Sequence, residues 1–278
     1  MTEGLRSGPE TARELNTIAQ KKSQLTIQAM LFLGMLAGMY IGFGAIAATT
    51  VNAYAGALPV AITKWLAGSV FCLGLILVVI PGSELFTGNV LMVASLPARR
   101  VPLGRLLRNW GFVYIGNFCG AVFLALLMYY SGLMGTPADH VADPKSPVGL
   151  TAATIADTRI GFHFVDALFR GILCNILVCL AVILALTARD VQGKILGIYF
   201  PIMTFVLCGF EHSIANMYFL SAGLMAKGTF FGPEFWTMFH NLIPVTIGNV
   251  IGGLIVIMLH PAQARRFFRS AKPAEEKP

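Results

Sequence analysis

The chain has 278 residues, of which 56% are hydrophobic and 12% charged, with a formal net charge of +7 and a mean hydropathy of +0.73. So few charges cannot clothe a soluble domain of this length, which excludes a water-soluble enzyme or binding module and indicates a membrane protein. The basic residues form no patch with interleaved aromatics, so the positive balance does not indicate a nucleic-acid partner.

Residues 1–24 are polar and mixed in charge and lack the apolar core and cleavage site of a secretory signal, which leaves targeting to the first span. Within them Thr11–Lys22 has the pattern of a short amphipathic helix on the membrane face. A span takes about 20 helical residues, and charge-free tracts supply six within a channel domain of residues 25–262. The first tract, Ser23–Thr63, exceeds one span, and Gly56 and Pro59 mark a turn in its last third. Trp65–Ser83, Asn109–Ala138 and Gly171–Ala188 follow. The fifth tract, Ile195–Phe210, is cut short by Glu211 and completed by Ser213–Ala226, and Phe235–Ala264 is the sixth. Residues 263–278 read as a basic, disordered tail. Asp166 and Arg170, one helical turn apart at the start of span four, can pair with each other or bridge protomers of an oligomer.

Charge placement sets the orientation. Six spans put Arg6, Arg13, Lys21, Lys22, Arg99, Arg100, Arg105, Arg108, Arg189, Lys194 and the basic tail on one side, against Lys64, Lys145, Arg159 and Lys227 on the other. The positive-inside rule then makes this a multi-pass protein of the cytoplasmic membrane with both termini cytoplasmic. Cys72, Cys119, Cys174, Cys179 and Cys208 lie in apolar spans without CxxC spacing or clustered histidines, so they read as packing residues, and no metal or other cofactor is expected.

Two spans break at related stretches, Glu84-Leu85-Phe86-Thr87-Gly88-Asn89 and Glu211-His212-Ser213-Ile214-Ala215-Asn216. Intramembrane carboxylates are costly, and non-helical backbone at that depth survives only in protein or along a water-filled path. Matched interruptions point to a solute site between repeats. Ile115-Gly116-Asn117 in span three likewise matches Ile247-Gly248-Asn249 in span six. With three spans per half, the copies should cross the bilayer in opposite senses. The glycines four apart, Gly116 with Gly120 and Gly248 with Gly252, suit close helix packing. Asn117 and Asn249 either hold the broken segments or line the path, since a buried amide needs partners.

Pro81-Gly82-Ser83 and Gly209 should end helices and expose helix N-termini whose free amides attract anions. Glu84 and Glu211 would repel an anion, so they read as acceptors for the loops' backbone donors rather than as a proton relay, with Asn89 and Asn216 closing the two stretches. His212, beside an intramembrane carboxylate, can donate and titrate near neutrality, and Thr87 at the other break offers a hydroxyl to the ring or to a solute. Phe71 and Leu75 precede the first break by whole helical turns and Phe205 precedes the second, giving one apolar girdle toward each mouth.

At these residues the chain resembles the formate/nitrite transporter family, with its formate, nitrite and hydrosulfide channels, from Leu25 to His260. The stretches that carry the resemblance are Gly82–Asn89, Gly209–Asn216 and Asn241–Asn249. It implies an all-α, aquaporin-like protomer of six transmembrane helices as an inverted 3+3 repeat with spans two and five broken, although aquaporin Asn-Pro-Ala triplets are absent. It also implies a homopentamer with one pore per subunit, passing small monovalent weak-acid anions and protons across the lipid bilayer. Thr87 would lie on the first loop and His212 at the centre. Phe71 and Leu75 would form one constriction, Phe205 the other, and Asn175 a pore-side polar group. Where the family's formate channels carry a lysine before span four, spacing to Asn175 puts Arg159 here, which keeps the vestibule charge but does not release a proton.

The expected function is passage of formate, with nitrite and hydrosulfide also accommodated, assisted by protonation at the central histidine. An ion-coupled transporter of a larger solute is a second reading compatible with inverted repeats. An intramembrane enzyme using Glu211 and His212 is a third, but it lacks a nucleophile motif, HExxH and a metal cluster.

Overall fold

The computed structural model describes residues 4–97, 99–135 and 146–259, and these form α-helices and short 3-10 turns with no named strand. The tail at 263–278, Lys145, Ala138 and the last residues of span six lie outside them. In chain order the helices are α1 (Gly8–Ser23), α2 (Ile27–Ala53), α3 (Val60–Val79), α4 (Phe86–Asn89), α5 (Leu103–Tyr130), α6 (Pro147–Ile160), α7 (Phe164–Thr187), α8 (Val191–Leu207), α9 (Ser213–Ala226) and α10 (Met238–Leu259). A 3-10 helix over Val90–Ser95 continues α4, and another over Pro233–Thr237 leads into α10.

Local chemistry explains the boundaries. Helix α1 starts at a capping box, with Glu10 N–H on Ser7 Oγ and Ser7 N–H on Glu10 Oε2 at 2.7 Å, and the latter bond holds the Glu10 carboxyl below its usual range. Leu15 and Ala19 pack it onto the apolar residues of the Val90–Ser95 turn. Gly56, at φ 54°, makes the turn between α2 and α3. Helices α2, α3, α5, α7 and α10 are long and apolar enough to cross a membrane. Helix α8, at 17 residues, falls short of the length a bilayer takes and resumes beyond its break as α9.

Two features differ from the sequence reading. Helix α7 begins at Phe164, before its charge-free tract, and includes Asp166 and Arg170. Arg170 does not pair with Asp166: its Nη1 donates to Gly209 O at 3.0 Å and its guanidinium lies over the Phe162 ring, which lets a charge sit inside an apolar helix. Helix α6 has no counterpart among the expected spans. Ser146 caps it and Pro147 opens it, and it is too short to cross a membrane.

The order of α1–α5 recurs in α6–α10. Helix α2 packs on α3 and α5, as α7 packs on α8 and α10. Helix α1 lies against the Val90–Ser95 turn, as α6 lies against α9, and the halves meet through α3 with α8 and α5 with α9. Glycines set the closest crossings. A Cβ on Gly116 would come within 2.6 Å of Leu31 O and one on Gly120 would overlap Met35 O, while at the related places Gly248 and Gly252 abut Leu168 O and Ile172 O. The short broken helix α9 sits between these layers and is buried along nearly its whole length.

Because backbone and not a mobile side chain occupies the space, Gly120→Val and Gly252→Val should each cost about 3 kcal/mol. Both should lower the thermal midpoint of the detergent-solubilised protein, whereas Gly111→Ala, inside α5 with nothing within 4 Å of its position, should hold or slightly raise it.

Candidate functional site

The two breaks are held by one amide each. At the first, Asn117 Oδ1 accepts from Phe86 N–H at 3.0 Å, and its Nδ2 donates to Gly34 O at 2.8 Å and Glu84 O at 2.9 Å. At the second, Asn249 Oδ1 accepts from Ser213 N–H at 2.9 Å, and its Nδ2 donates to Gly171 O at 2.8 Å and Glu211 O at 3.0 Å. Each amide thus ties a chain turn to the first peptide of the returning helix. Gly82 (φ 88°) and Gly209 (φ 73°) supply the left-handed backbone that reverses the chain. The helix-start amides of Phe86 and Ser213, expected to be free for anions, are occupied by these asparagines, and Ala215 N–H by His212 Nδ1.

Glu84 and Glu211 do not serve backbone donors either. Glu84 accepts from Asn89 Nδ2 at 2.7 Å and Lys22 Nζ at 2.9 Å, and Asn89 also donates to Asn109 Oδ1 at 2.8 Å. In the other half Glu211 takes Asn216 Nδ2 at 2.6 Å and Arg159 Nη1, while Asn216 donates to Asn241 Oδ1 at 2.7 Å. Asn109 and Asn241 return to the carbonyls of Lys22 and Arg159. A buried carboxylate is affordable here because a cation and an amide saturate it. Lys22, Asn109 and Asn241 escaped the sequence reading. The 132-residue spacing that relates Asn117 to Asn249 also relates Asn109 to Asn241 and would have found two of them.

Thr87 and His212 meet between the halves, Thr87 Oγ1 lying 2.8 Å from His212 Nε2. His212 Nδ1 caps α9 by accepting from Ala215 N–H at 3.1 Å, so in this arrangement the ring is neutral with its proton on Nε2, and the imidazole donates to the hydroxyl. Asn175 Nδ2 joins the carbonyls of Asn249 (2.6 Å) and Thr87 (3.3 Å), bracing both breaks. Aligning the two breaks puts Leu85 at the place of His212 and Ile214 at that of Thr87.

Two cavities approach this pair from opposite ends of α2 and α3. One, of about 390 Å³, is lined by Leu33, Leu75, Val78, Leu85 and Lys22, and the other, of about 450 Å³, by Asn52, Lys64, Ala67, Arg159, Val206 and Phe219. Neither is lined by Thr87, His212, Phe71 or Phe205. Along α3, Ala67, Phe71 and Leu75 follow at one-turn intervals, so the closed stretch spans about 12 Å from Ala67 to Leu75. This corrects the expected girdles. Phe71 and Phe205 do not guard opposite mouths: their ring centroids lie 5.5 Å apart, edge to face, because α3 packs on α8, and Phe205 stacks on His212 at 6.0 Å. Leu75 instead faces the first cavity with Leu85, which the sequence reading missed.

The family model described as "Formate/nitrite transporter" matches residues 9–262. The chain belongs to the formate/nitrite transporter family. It is 39% identical to a probable formate transporter of Methanothermobacter thermautotrophicus, over 92% of this chain and 96% of that one. It is 36% identical to the formate channel FocA of Escherichia coli (strain K12), over 82% and 83%. Among solved structures, a pentameric formate channel with formate bound aligns at a TM-score of 0.69 and 36% identity, over 83% of this chain and 94% of the other. An FNT family ion channel aligns at 0.79 and 26%, over 92% and 99%. A formate/nitrite transporter family member is a multi-pass membrane transport protein, not an enzyme, so the acid–base reading of Glu211 and His212 is set aside.

Each clamp removes three hydrogen bonds when truncated, at about 1 kcal/mol apiece before the cost of the orphaned peptide groups. Asn117→Ala and Asn249→Ala should therefore each lose at least about 3 kcal/mol and lower the thermal midpoint in detergent by similar amounts.

Proposed function

We propose that this chain is a channel for small monovalent weak-acid anions, formate foremost, and that passage is assisted by protonation at His212. The observation that carries the reading is the Thr87–His212 bond, a buried polar contact on which Phe205 stacks, itself packed on Phe71. Its support is the family together with relatives named as formate channels.

Cost dictates the mechanism. A bare anion entering an apolar stretch loses hydration worth several kcal/mol, whereas its neutral acid loses far less. Arg159 and Lys64 concentrate the anion in the larger cavity, and a proton joins it under the influence of His212 and Thr87 as it enters the throat. The short closed stretch and its tight aromatic contact favour a small permeant over the larger solute of an ion-coupled transporter. In this reading the channel domain is residues 25–262, six spans in two oppositely oriented halves of a homopentamer in the cytoplasmic membrane. Both termini are cytoplasmic, and the cavity beside α1 opens to the cytoplasm.

In proteoliposomes, formate flux should rise as the external pH falls and persist without any ion gradient. His212→Asn, which keeps a polar group but cannot titrate, should flatten that pH response. Wild-type flux and pH response in this variant would refute the role of His212. Formate, nitrite, hydrosulfide, acetate and lactate compared at two pH values should show flux falling sharply with size.

A further inference from the structure

Helix α7 carries one cation, Arg170, in its second turn. An ionisable side chain inside a span is costly and points to a function. Its backbone does what Leu33 does in the first half: Leu33 O accepts from Glu84 N–H and Arg170 O from Glu211 N–H, each at 3.2 Å. The side chains diverge. Leu33 lines the first cavity together with Gly82, whose carbonyl takes no side-chain donor among the described residues. Arg170 reaches Gly209 O through Nη1 at 3.0 Å, and Phe162 holds the guanidinium flat, its ring centroid 4.4 Å from Cζ.

Gly209 closes helix α8. Its N–H returns to Val206 O at 3.1 Å and Phe210 N–H to Phe205 O at 3.0 Å, the paired bonds of a Schellman end around a left-handed glycine. A cation at this place also suits the negative end of the helix. Phe205, whose carbonyl begins the turn, is the ring stacked on His212 at 6.0 Å, and His212 follows Gly209 by three residues, so Arg170 bears on both partners of that stack. The first break makes the same left-handed turn at Gly82 and the same asparagine clamp with no cation on its glycine. Closing a break therefore does not require Arg170, and what the second break adds is an imidazole. We propose that Arg170 is a positioning residue for permeation: by pinning the Gly209 carbonyl it sets where the His212 ring stands against Phe205 and Thr87. The inference rests on the role of His212 in the channel reading and adds the residue that places the ring.

The test combines formate flux in proteoliposomes with the nitrogen-15 spectrum of the histidine rings in the reconstituted full chain, where the signals lost in His212→Asn are those of His212 among five histidines. Arg170→Leu, which installs the residue of the first half, should lower maximal flux about tenfold and shift or split the His212 signals. The half-saturating formate concentration should stay unchanged, because Arg170 lines neither cavity. Arg170→Lys, which keeps a charged donor for Gly209 O, should recover most of the flux and return the His212 signals to their wild-type positions. If Arg170→Leu fails to assemble, Arg170→Met, which keeps the length and the Phe162 contact without a donor, is judged by the same two readouts. An unmoved His212 spectrum overturns the inference even where flux is lost, since that pattern marks a merely structural role. A shifted spectrum with wild-type flux overturns it too, as does an Arg170→Lys protein that recovers neither. Wild-type flux and pH response in His212→Asn would refute the role of His212 and this inference with it, whereas an unmoved spectrum in Arg170→Leu refutes only this one.

Discussion

A helix interrupted inside a bilayer exposes peptide groups where no water can satisfy them, and the fold is organised around that problem. Asn117 and Asn249 solve it by turning one donor and one acceptor onto the loose ends of each break and a second donor onto a carbonyl of the neighbouring helix. The amides reach because α2 and α5, and likewise α7 and α10, cross at glycines with almost no gap between backbones. Close packing, clamped breaks and the meeting of two loops at Thr87 and His212 are therefore successive consequences of one requirement. The carboxylates belong to a second tier, joining each break to a cation on α1 or α6.

Charge and polarity are distributed so that cations line both cavities and one polar contact, Thr87 with His212, lies in the closed stretch between them. His212 is held neutral in this arrangement by the helix it caps, and its remaining proton is directed at Thr87. The ring stacks on Phe205, which in turn meets Phe71, so aromatic packing closes around the imidazole.

Much of this was legible in the sequence because its signals are local. Charge-free tracts gave the long helices, the Glu-to-Asn stretches located both breaks, and Gly116, Gly120, Gly248 and Gly252 marked the crossings. The meeting of Thr87 with His212 followed from treating the halves as copies. Long-range geometry was not legible. Counting helical turns placed Phe71 and Phe205 at separate mouths, because spacing along a helix does not report which helix it packs against. Helix α6 was hidden in a moderately polar connection, and the roles of Lys22 and Arg159 depend on contacts across more than fifty residues.

The related positions Leu85 with His212, and Ile214 with Thr87, mark where the two breaks differ. The asparagine clamps and the glycine crossings are shared by the halves, and the Thr87–His212 contact is not. Two identical subunits could make the same clamps and crossings, but their centre would bring together two imidazoles or two hydroxyls. Within one chain the two breaks differ at these positions, so a single imidazole faces a single alcohol.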